Sequence, residues 1–537
     1  MTAFVLVPGA HTGGWIWEEV ADRLRESGAE ARPVTLAGMG ERRHDGVVAG
    51  REGQEAQENQ RDQKGQEAAE ALESPATLET HIRELVRLID EMDAPEVVLV
   101  GHCYGVHPVL GAAARRPERV ARIVYVDTGV PQDGAPALEL IPDQVVRDGL
   151  RRRAGEAGGG GQLSPPAPGE WQRWGSVTGI PADALDRLTG LAAPQPLGTL
   201  TQPLRVPGEA VAGLPTTGVL CTANGSSIAL IESLVRMGDP RLTALVHPRI
   251  GFFELGTGHW PMLSAPGELA AVLLRAAADE GHRLSAQADE QPDFLRPFAL
   301  DVPEQRRERV GRVDLHLPAS GGPHPAVVFV HGGPVPADQR PTPRDWPFYA
   351  GYGRYAASLG AVGAVLDHRL HDLADYERAA EDLADAVRLV RADPRVDGDR
   401  VALWFFSGGG LLSADWLAAP PPWLRCVAAN YPVLAPLPNW GLTRSRFRPA
   451  AAVRTAGRLP VVLTRAGLDF AEITATIEEF LTAAEDCEAA VEVIDVPDGH
   501  HGFETIDHTE QTRRAVERAM RSVLGHLGQH LGPLRES

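Results

Sequence analysis

The chain has 537 residues, of which 43% are hydrophobic and 23% charged, and its net charge is −20. This length is too great for one hydrophobic core and indicates at least two domains. The acidic balance argues against nucleic acid and against an anionic membrane surface as partners, because both are recognised through basic patches.

Cysteine usage gives the expected compartment. The four cysteines are widely spaced and show neither a CxxC pair nor the Cys/His spacing of a structural metal site. This pattern indicates a reducing cytoplasm, and the sequence shows neither an apolar leader nor an apolar run of membrane-spanning length. We therefore expect a cytoplasmic protein without structural zinc.

The N-terminal segment starts with a strand and a glycine-rich loop. Residues 3–7 form an apolar run typical of a buried strand, and residues 8–14 predict a loop with exposed backbone N–H groups. Residues 46–74 are rich in Gln, Glu, Arg and Gly and contain almost no large apolar side chain. Such a segment cannot bury enough surface to offset its ordering entropy, so we expect a mobile insertion there.

The most informative stretch is residues 96–106, where an apolar β-branched run leads into Gly101-x-Cys103-x-Gly105. This layout is typical of a nucleophile elbow, a sharp turn that presents its central side chain at the top of a parallel sheet. Glycines suit the flanking positions because the turn packs the following helix closely against the strand. A thiol at a helix start, near a histidine, reacts as thiolate. The motif alone leaves open that Cys103 is a buried structural cysteine.

The segments after the elbow predict a doubly wound α/β sheet, because residues 122–127 form another buried strand and such strands alternate with helices. Residues 131–215 are rich in Gly and Pro and contain Trp171 and Trp174, so we expect a lid above the strand ends. Residues 281–309 carry mixed charge and several prolines and are predicted to be a linker between domain 1–280 and domain 310–530.

The same pattern begins again in the second half. Residues 326–330 predict a strand that ends at a His-Gly-Gly-Pro loop, and residues 379–392 predict an amphipathic helix. Residues 401–410 form a second elbow in which Ser407 is the central residue. The chain is therefore predicted to contain two copies of one α/β architecture.

Three motifs of the first half, residues 7–15, residues 101–105 and residues 258–261, together resemble those of the α/β-hydrolases. They are most similar to the branch of plant methylesterases and hydroxynitrile lyases and their bacterial relatives. The resemblance implies Cys103 as nucleophile and His259 as general base. It also implies an oxyanion hole formed by the backbone N–H groups of Ala10 and Tyr104, which fits donors on a glycine-rich loop and at a helix start. Three further histidines are expected to line the pocket or lie at the surface: His11, His102 and His107.

The sequence departs from the family pattern at two places. Pro8 occupies a position where relatives usually carry histidine. Asn224 stands where the family usually has the aspartate that orients the base, and Asp127, at the end of the preceding predicted strand, is the rival for that role. Both alternatives stay open. Asn224 can serve because a thiolate and imidazolium pair needs orientation more than a negative charge. Asp127 is slightly preferred because some hydrolases place their acid at the end of that strand.

The second half resembles the dienelactone-hydrolase and prolyl-oligopeptidase-like branch of the same superfamily. The resemblance lies in the His-Gly-Gly loop at residues 331–333, the elbow at residues 406–410, the Gly-Leu-Asp turn at residues 467–469 and the Gly-His-His-Gly-Phe turn at residues 499–503. It implies Ser407 as nucleophile, Asp469 as orienting acid and His501 as base. It also implies Gly333 and Gly408 as the oxyanion-hole donors.

Two residues complicate this interpretation of the second half. His500 competes with His501 as the base, and the His-Gly-Phe pattern selects His501. Phe405 stands where the first elbow glycine belongs, so the second elbow is either adapted to the ring or inactive.

The two sites together predict hydrolysis of carboxyl esters, lactones or thioesters of a small molecule through acyl-enzyme intermediates. Neither a metal nor an organic cofactor is needed for this chemistry. One alternative is acyl transfer, cyclisation or carbon–carbon bond cleavage by the cysteine unit in a biosynthetic pathway. Another is a binding or scaffold role for one or both units. The oligomeric state and the identity of the substrate are left open.

Overall fold

The structure, a computed structural model, describes residues 2–44, 76–157, 161–236, 240–285, 291–442 and 445–529. The predicted mobile insertion at residues 46–74 lies outside the described residues. The chain divides into two compact units, Met1–Glu232 with Arg241–Ala286 and Ser233–Pro240 with Gln287–Ser537. The boundaries expected at residues 280 and 310 stay predictions.

The strands are, in chain order, β1 (Ala3–Val7), β2 (Glu30–Pro33), β3 (Val97–His102), β4 (Val120–Val126), β5 (Gln162–Leu163), β6 (Gln195–Pro196), β7 (Thr216–Cys221), β8 (Ile250–Leu255), β9 (Arg306–Val310), β10 (Val313–Leu317), β11 (His324–Val330), β12 (Val362–Leu366), β13 (Val396–Phe406), β14 (Leu424–Asn430), β15 (Val461–Leu468) and β16 (Val491–His500).

The α-helices are α1 (Glu18–Glu26), α2 (Leu78–Glu91), α3 (Val106–Arg115), α4 (Gln144–Ala157), α5 (Ala182–Leu191), α6 (Leu197–Thr201), α7 (Gly208–Ala212), α8 (Ile228–Arg236), α9 (Pro240–Thr243), α10 (Pro261–Ser264), α11 (Pro266–Ala277), α12 (Pro347–Ser358), α13 (Tyr376–Ala392), α14 (Ala414–Ala418), α15 (Pro449–Ala452), α16 (Ala471–Asp486), α17 (Phe503–Ile506) and α18 (Glu510–His526).

The first unit is built on a six-stranded sheet in the order β2-β1-β3-β4-β7-β8, and its neighbouring strands run parallel. The elbow strand β3 lies inside this sheet and is buried along its whole length. Helices cover a parallel sheet on both faces, which explains why this strand reads as a continuous apolar run. The predicted doubly wound α/β architecture is confirmed.

The segment predicted as a lid connects β4 to β7. It contains helices α4 to α7 and the short antiparallel pair of β5 and β6. Its tryptophans do not project into solvent, since Trp171 is 2% exposed and Trp174 is 8% exposed and both belong to the core of the first unit.

The second unit is built on an eight-stranded sheet in the order β16-β15-β14-β13-β11-β12-β10-β9. Its strands run parallel from β16 to β12, and β10 and β9 are antiparallel additions. Strand β9 and the buried rings of Phe294 and Phe298 come from the segment predicted as the linker. The last part of that segment is therefore built into the core and edge of this unit.

The two sheets share one strand order around their elbows. Moving outward from the elbow strand, the first sheet continues through β4, β7 and β8, and the second sheet continues from β13 through β14, β15 and β16. Parallel strands end at the same edge, so side chains that follow these strands meet there. The residues at this edge can therefore be compared unit by unit.

Candidate active site

The two predicted nucleophiles adopt the same strained backbone conformation. Cys103 and Ser407 each follow the elbow strand directly, and each has a φ of 48°. Such a left-handed conformation is uncommon for a residue with a Cβ and is typical of functional turns. In the first unit, a Cβ added at Gly101 would lie 2.8 Å from the backbone of Val106, and one added at Gly105 would lie 2.6 Å from the carbonyl oxygen of Pro8. The glycines are thus required by close backbone packing.

His259, the expected base of the first unit, is held by Asp127. His259 Nδ1 lies 2.6 Å from Asp127 Oδ2, and the two side chains are 7% and 2% exposed, respectively. Asp127 directly follows β4 and has a φ of 49°. It also accepts hydrogen bonds from the Asn224 side-chain amide (2.7 Å) and from the Cys221 backbone N–H (3.1 Å). Of the two rivals, Asp127 contacts the imidazole, and Asn224 contacts Asp127.

The charge state of His259 follows from these neighbours. Burial opposes the charged imidazolium, but hydrogen bonds and charge interactions with Asp127 and with the Cys103 sulfur outweigh it and raise the pKa of His259 to about 10. A buried imidazolium beside a sulfur stabilises the thiolate form of that sulfur. The first unit therefore places a charged imidazole beside the Cys103 sulfur.

The loop that carries Ala10 lies directly against the nucleophile. A Cβ added at Gly9 would lie 2.6 Å from the ring of His102 and 3.2 Å from the Cβ of Cys103, so the loop packs against the elbow. His11, the residue after Ala10, has a φ of 65° and is 1% exposed. The expected oxyanion-hole donors, the backbone N–H groups of Ala10 and Tyr104, therefore belong to the two segments that meet at Cys103.

The three accessory histidines are all buried in the first unit: His11, His102 and His107. Burial lowers the pKa of His11 and of His107 to about 4 and holds the pKa of His102 well below its usual range. All three are therefore neutral near pH 7. His102 lies beneath the base, where its Nε2–H donates to the backbone carbonyl of His259 at 2.8 Å.

The second unit brings together a serine, a histidine and an aspartate. Ser407 Oγ lies 2.7 Å from His501 Nε2, and His501 Nδ1 lies 2.8 Å from Asp469 Oδ1. In this geometry the hydroxyl donates to the imidazole, and the imidazole donates to the carboxylate. His500 turns away, is half exposed and contacts Asp507 at 3.0 Å. The structure therefore places His501, not His500, beside Ser407.

The second unit also closes its oxyanion loop against the elbow. A Cβ added at Gly332 would lie 3.0 Å from the Cβ of Ser407, and one added at Gly408 would lie 2.1 Å from the carbonyl oxygen of Gly333. Only residues without side chains can approach so closely. Gly333 and Gly408, the expected oxyanion-hole donors, are therefore adjacent.

Phe405 is accommodated in the core. Its side chain is fully buried with the apolar residues of the second unit. Three glycines follow Ser407, and the segment Ser407–Ser413 is a 3-10 helix, whereas the helix after Cys103 becomes α-helical at Val106. A Cβ added at Gly409 would lie 2.4 Å from the carbonyl oxygen of His331. Close packing of the elbow thus relies on glycines after the nucleophile, and the serine conformation is preserved.

The orienting acid lies on different strands in the two units. Asp127 follows β4, one strand away from the elbow strand, whereas Asp469 follows β15, two strands away. At the position matching Asp127, the second unit has Tyr431, which has a φ of 35° and whose ring centroid lies 4.6 Å from that of His501. At the position matching Asp469, the first unit has the turn Thr222–Asn224. The carboxylate that contacts the histidine therefore follows a strand nearer to the elbow strand in the first unit than in the second.

Sequence reasoning missed the contribution of the lid to the first site. The backbone carbonyl of Ser176 accepts the N–H of His259 at 2.8 Å, and the N–H of Ser176 donates to Asn224 Oδ1 at 2.7 Å. Gln195, also in the lid, accepts the N–H of His11 at 3.1 Å. Two of these contacts use main-chain atoms of the lid, which leave no pattern in a sequence.

The described residues contain neither a cluster that could bind a metal ion nor a membrane-spanning helix. No group of three or more His, Cys, Asp or Glu side chains in the described ranges is placed to hold a metal ion. No helix of those ranges is long and apolar enough to cross a membrane.

Both halves of the chain are similar to known proteins. Residues 4–272 match the model of the alpha/beta hydrolase family, and residues 360–531 match that of the dienelactone hydrolase family. A carbendazim hydrolyzing esterase from Nocardioides sp. is 28% identical over 280 residues, 51% of this chain and 98% of that protein. The putative methylesterase 12 of Arabidopsis thaliana is 29% identical over 143 residues, 26% of this chain and 34% of that protein. An extracellular alpha/beta-hydrolase from a Paenibacillus species is 18% identical, with a TM-score of 0.38, and the match covers 51% of this chain and 99% of that one.

Proposed function

Because the chain belongs to the alpha/beta hydrolase family, we propose that it cleaves small-molecule carboxyl esters, lactones or thioesters at two acyl-enzyme sites, with Cys103 and Ser407 as nucleophiles. The observation that supports this most directly is the contact of each base with its acid. His259 binds Asp127 at 2.6 Å and His501 binds Asp469 at 2.8 Å. The similar carbendazim hydrolyzing esterase and the methylesterase favour esters as the substrate class.

In the first unit, the Cys103 thiolate attacks the acyl carbon, and the developing oxyanion is held by the backbone N–H groups of Ala10 and Tyr104. The imidazolium of His259 then donates its proton to the departing alcohol or thiol. The same imidazole, now neutral, deprotonates the water that cleaves the thioester. Asp127 keeps the imidazole oriented through both steps.

In the second unit, His501 first removes the proton of Ser407 as the hydroxyl attacks. The proton passes to the leaving alcohol, the oxyanion is held at Gly333 and Gly408, and water completes the cycle. Asp469 stabilises the imidazolium that forms.

A rapid acid quench of the reaction with a short activated aryl ester, followed by peptide mapping, tests this proposal. We expect acyl adducts on Cys103 and on Ser407, and we expect Cys103→Ala and Ser407→Ala to remove only their own adduct. A chain that carries neither adduct across a panel of esters, lactones and thioesters would contradict the proposal and favour a binding or scaffold role.

A second candidate function for the first unit is acyl transfer, cyclisation or carbon–carbon cleavage. The position of the Cys103 sulfur beside the charged His259 favours it, because an acylated cysteine is a thioester, which amines and carbanions attack well. Product analysis with and without an added amine separates the two functions. Formation of free acid alone would exclude transfer.

A further inference from the structure

The base, the acid and the lid of the first unit form one closed ring of hydrogen bonds. His259 Nδ1–H donates to Asp127 Oδ2 (2.6 Å), and Asn224 Nδ2–H donates to the same oxygen (2.7 Å). Asn224 Oδ1 accepts the Ser176 N–H (2.7 Å), and the Ser176 carbonyl accepts the His259 N–H (2.8 Å). All four residues are less than 9% exposed.

Each polar group of the ring acts either as a donor or as an acceptor, so the ring fixes the orientation of the Asn224 amide. Asn224 can donate to Asp127 and accept from Ser176 only with its amide oriented as observed. An ionised aspartate at position 224 would keep the acceptor and lose the donor. Hydrogen bonds to a charged carboxylate are stronger than neutral ones, so the Asn224 contact fixes the carboxylate that orients the base.

The lid backbone at Gly175 is in close contact with the His259 side chain. A Cβ added at Gly175 would lie 2.4 Å from His259 Cβ and 2.5 Å from its Cγ, and one added at Gly258 would lie 2.3 Å from the Ser176 carbonyl oxygen. A second hydrogen bond joins the same segments, from Gly258 N–H to the Thr178 carbonyl at 3.0 Å. This contact leaves no room for a side chain at either glycine.

The lid also holds the oxyanion loop. Gln195 is fully buried, its Oε1 accepts the His11 N–H, and its side-chain amide donates to Thr199 Oγ1 at 2.9 Å. Ala193 exchanges two more hydrogen bonds with His11, at 2.9 Å through its N–H and at 3.1 Å through its carbonyl. The lid thus contacts both halves of the catalytic centre.

We propose that Asn224 and the lid segment at Gly175 and Ser176 are positioning groups of the Cys103 site, which hold Asp127 and His259 in the reactive arrangement. The inference deepens the proposed function and rests on it for the role of Cys103. In this proposal the lid positions His259 in addition to covering the substrate. Asn224 positions Asp127 and is not itself the acid.

The first experiment is the pH profile of Cys103 acylation in Asn224→Asp, measured in Ser407→Ala so that only Cys103 reports. Two carboxyl groups at this separation share one proton. With the proton present, the new side chain donates to Asp127 as the asparagine does; once it leaves, the two carboxylates repel and the ring opens. We expect the acylation rate of this variant to fall, on the alkaline side of its profile, at a pH about one unit or more below that of the parent. This fall is the alkaline limb. Thr222→Val, in the same turn, is the control and should not shift the limb.

An alkaline limb of Asn224→Asp that coincides with the parent limb would overturn the proposal. If Asn224 had only a structural role, its replacement would lower the melting temperature and leave the pH profile unchanged. Thermal unfolding of each variant is therefore measured alongside the profile.

The second experiment needs no substrate. The rate of alkylation of Cys103 by iodoacetamide at pH 6 reports the thiolate that the oriented imidazolium maintains. Gly175→Ala displaces the imidazole and should slow alkylation about 100-fold. Gly190→Ala, in the lid helix α5 where an added Cβ meets nothing within 4 Å, should leave the rate unchanged.

Equal alkylation rates for the two alanine variants would overturn the proposed role of the lid. If the acylation assay shows no adduct on Cys103 but alkylation separates the variants, the positioning role stands and the proposed esterase function of this unit fails. The two experiments thus distinguish the two failures.

Discussion

At the scale of single residues, the raised pKa of His259 determines the pH range in which its imidazole is charged. Its pKa is raised to about 10 despite burial, because Asp127 and the Cys103 sulfur stabilise the imidazolium. The charged form therefore stabilises the folded protein fully below the ordinary value of 6.5, and this contribution is lost as the pH rises through about 10.

We expect the rate of Cys103 acylation to fall as the pH rises through about 10, because the imidazolium that protonates the leaving group is lost. Asp127→Asn should move this fall to lower pH and reduce the rate about 100-fold or more, since the substitution removes the negative charge beside His259. Stopped-flow acylation of Ser407→Ala across the pH range measures both effects. Asp183→Asn, an exposed carboxylate in α5, serves as the control.

Phe405 gives a second prediction at this scale. It departs from the elbow pattern, which has glycine at this position. In the structure its side chain is completely buried in the core of the second unit. Restoring the glycine through Phe405→Gly should therefore cost about 3–5 kcal/mol of unfolding free energy instead of improving the site. Denaturant unfolding measures this cost. The parent protein should show a Ser407 adduct, and its absence while Cys103 is acylated would mean that Phe405 does disable the elbow.

At the scale of elements, the lid segment around β6 acts on the oxyanion loop through one buried side chain. Gln195→Leu removes the acceptor of the His11 N–H, which leaves a buried donor without its partner. We expect a loss of about 1–3 kcal/mol in unfolding free energy. We also expect a fall in the turnover rate at Cys103 with little change in KM.

The matched control is Gln202→Leu. Gln202 also accepts a backbone N–H, from Glu79 at 2.9 Å, but it does not contact the oxyanion loop. Both variants should lose stability, and only Gln195→Leu should lose turnover. Equal turnover in the two variants would show that the lid does not position this loop.

The displaced acid shows where reasoning from sequence stops at this scale. The elbows, the glycine-rich loops and the histidine turns could be predicted, because each is a local pattern of residues next to a strand. The acid could only be narrowed to Asp127 or Asn224, with a slight preference for Asp127, because two neighbouring strands end at the same edge and tertiary packing decides which side chain reaches His259. The lid contacts of Ser176 were out of reach, since backbone atoms make them and no residue type marks them.

At the scale of the whole molecule, each compact unit holds a histidine that contacts a carboxylate, His259 with Asp127 in the first and His501 with Asp469 in the second. The fold class could be predicted for both units because parallel buried strands are nearly continuous apolar runs. The part played by residues 291–310 in the second unit could not, because their mixed charge and prolines resemble a linker while Phe294 and Phe298 are buried.

We expect the two sites to be inactivated independently. Iodoacetamide should remove the Cys103 adduct and leave the Ser407 adduct, because the second nucleophile is a hydroxyl that depends on its own histidine. Asp469→Asn should do the opposite and reduce acylation of Ser407 about 10⁴-fold. Quantitative peptide mapping after each treatment measures both adducts, and loss of both after one treatment would contradict independence.

The contact between Asp127 and Asn224 also bears on how a catalytic acid can move between strands during evolution. The two side chains lie 2.7 Å apart at the ends of neighbouring strands, so either position can supply a carboxylate to this corner of the site. An ancestor with aspartate at both positions would keep one of them protonated and would still orient its histidine below the pH at which that proton leaves. Two single substitutions could therefore exchange the positions of the carboxylate and the amide through an intermediate that still orients its histidine.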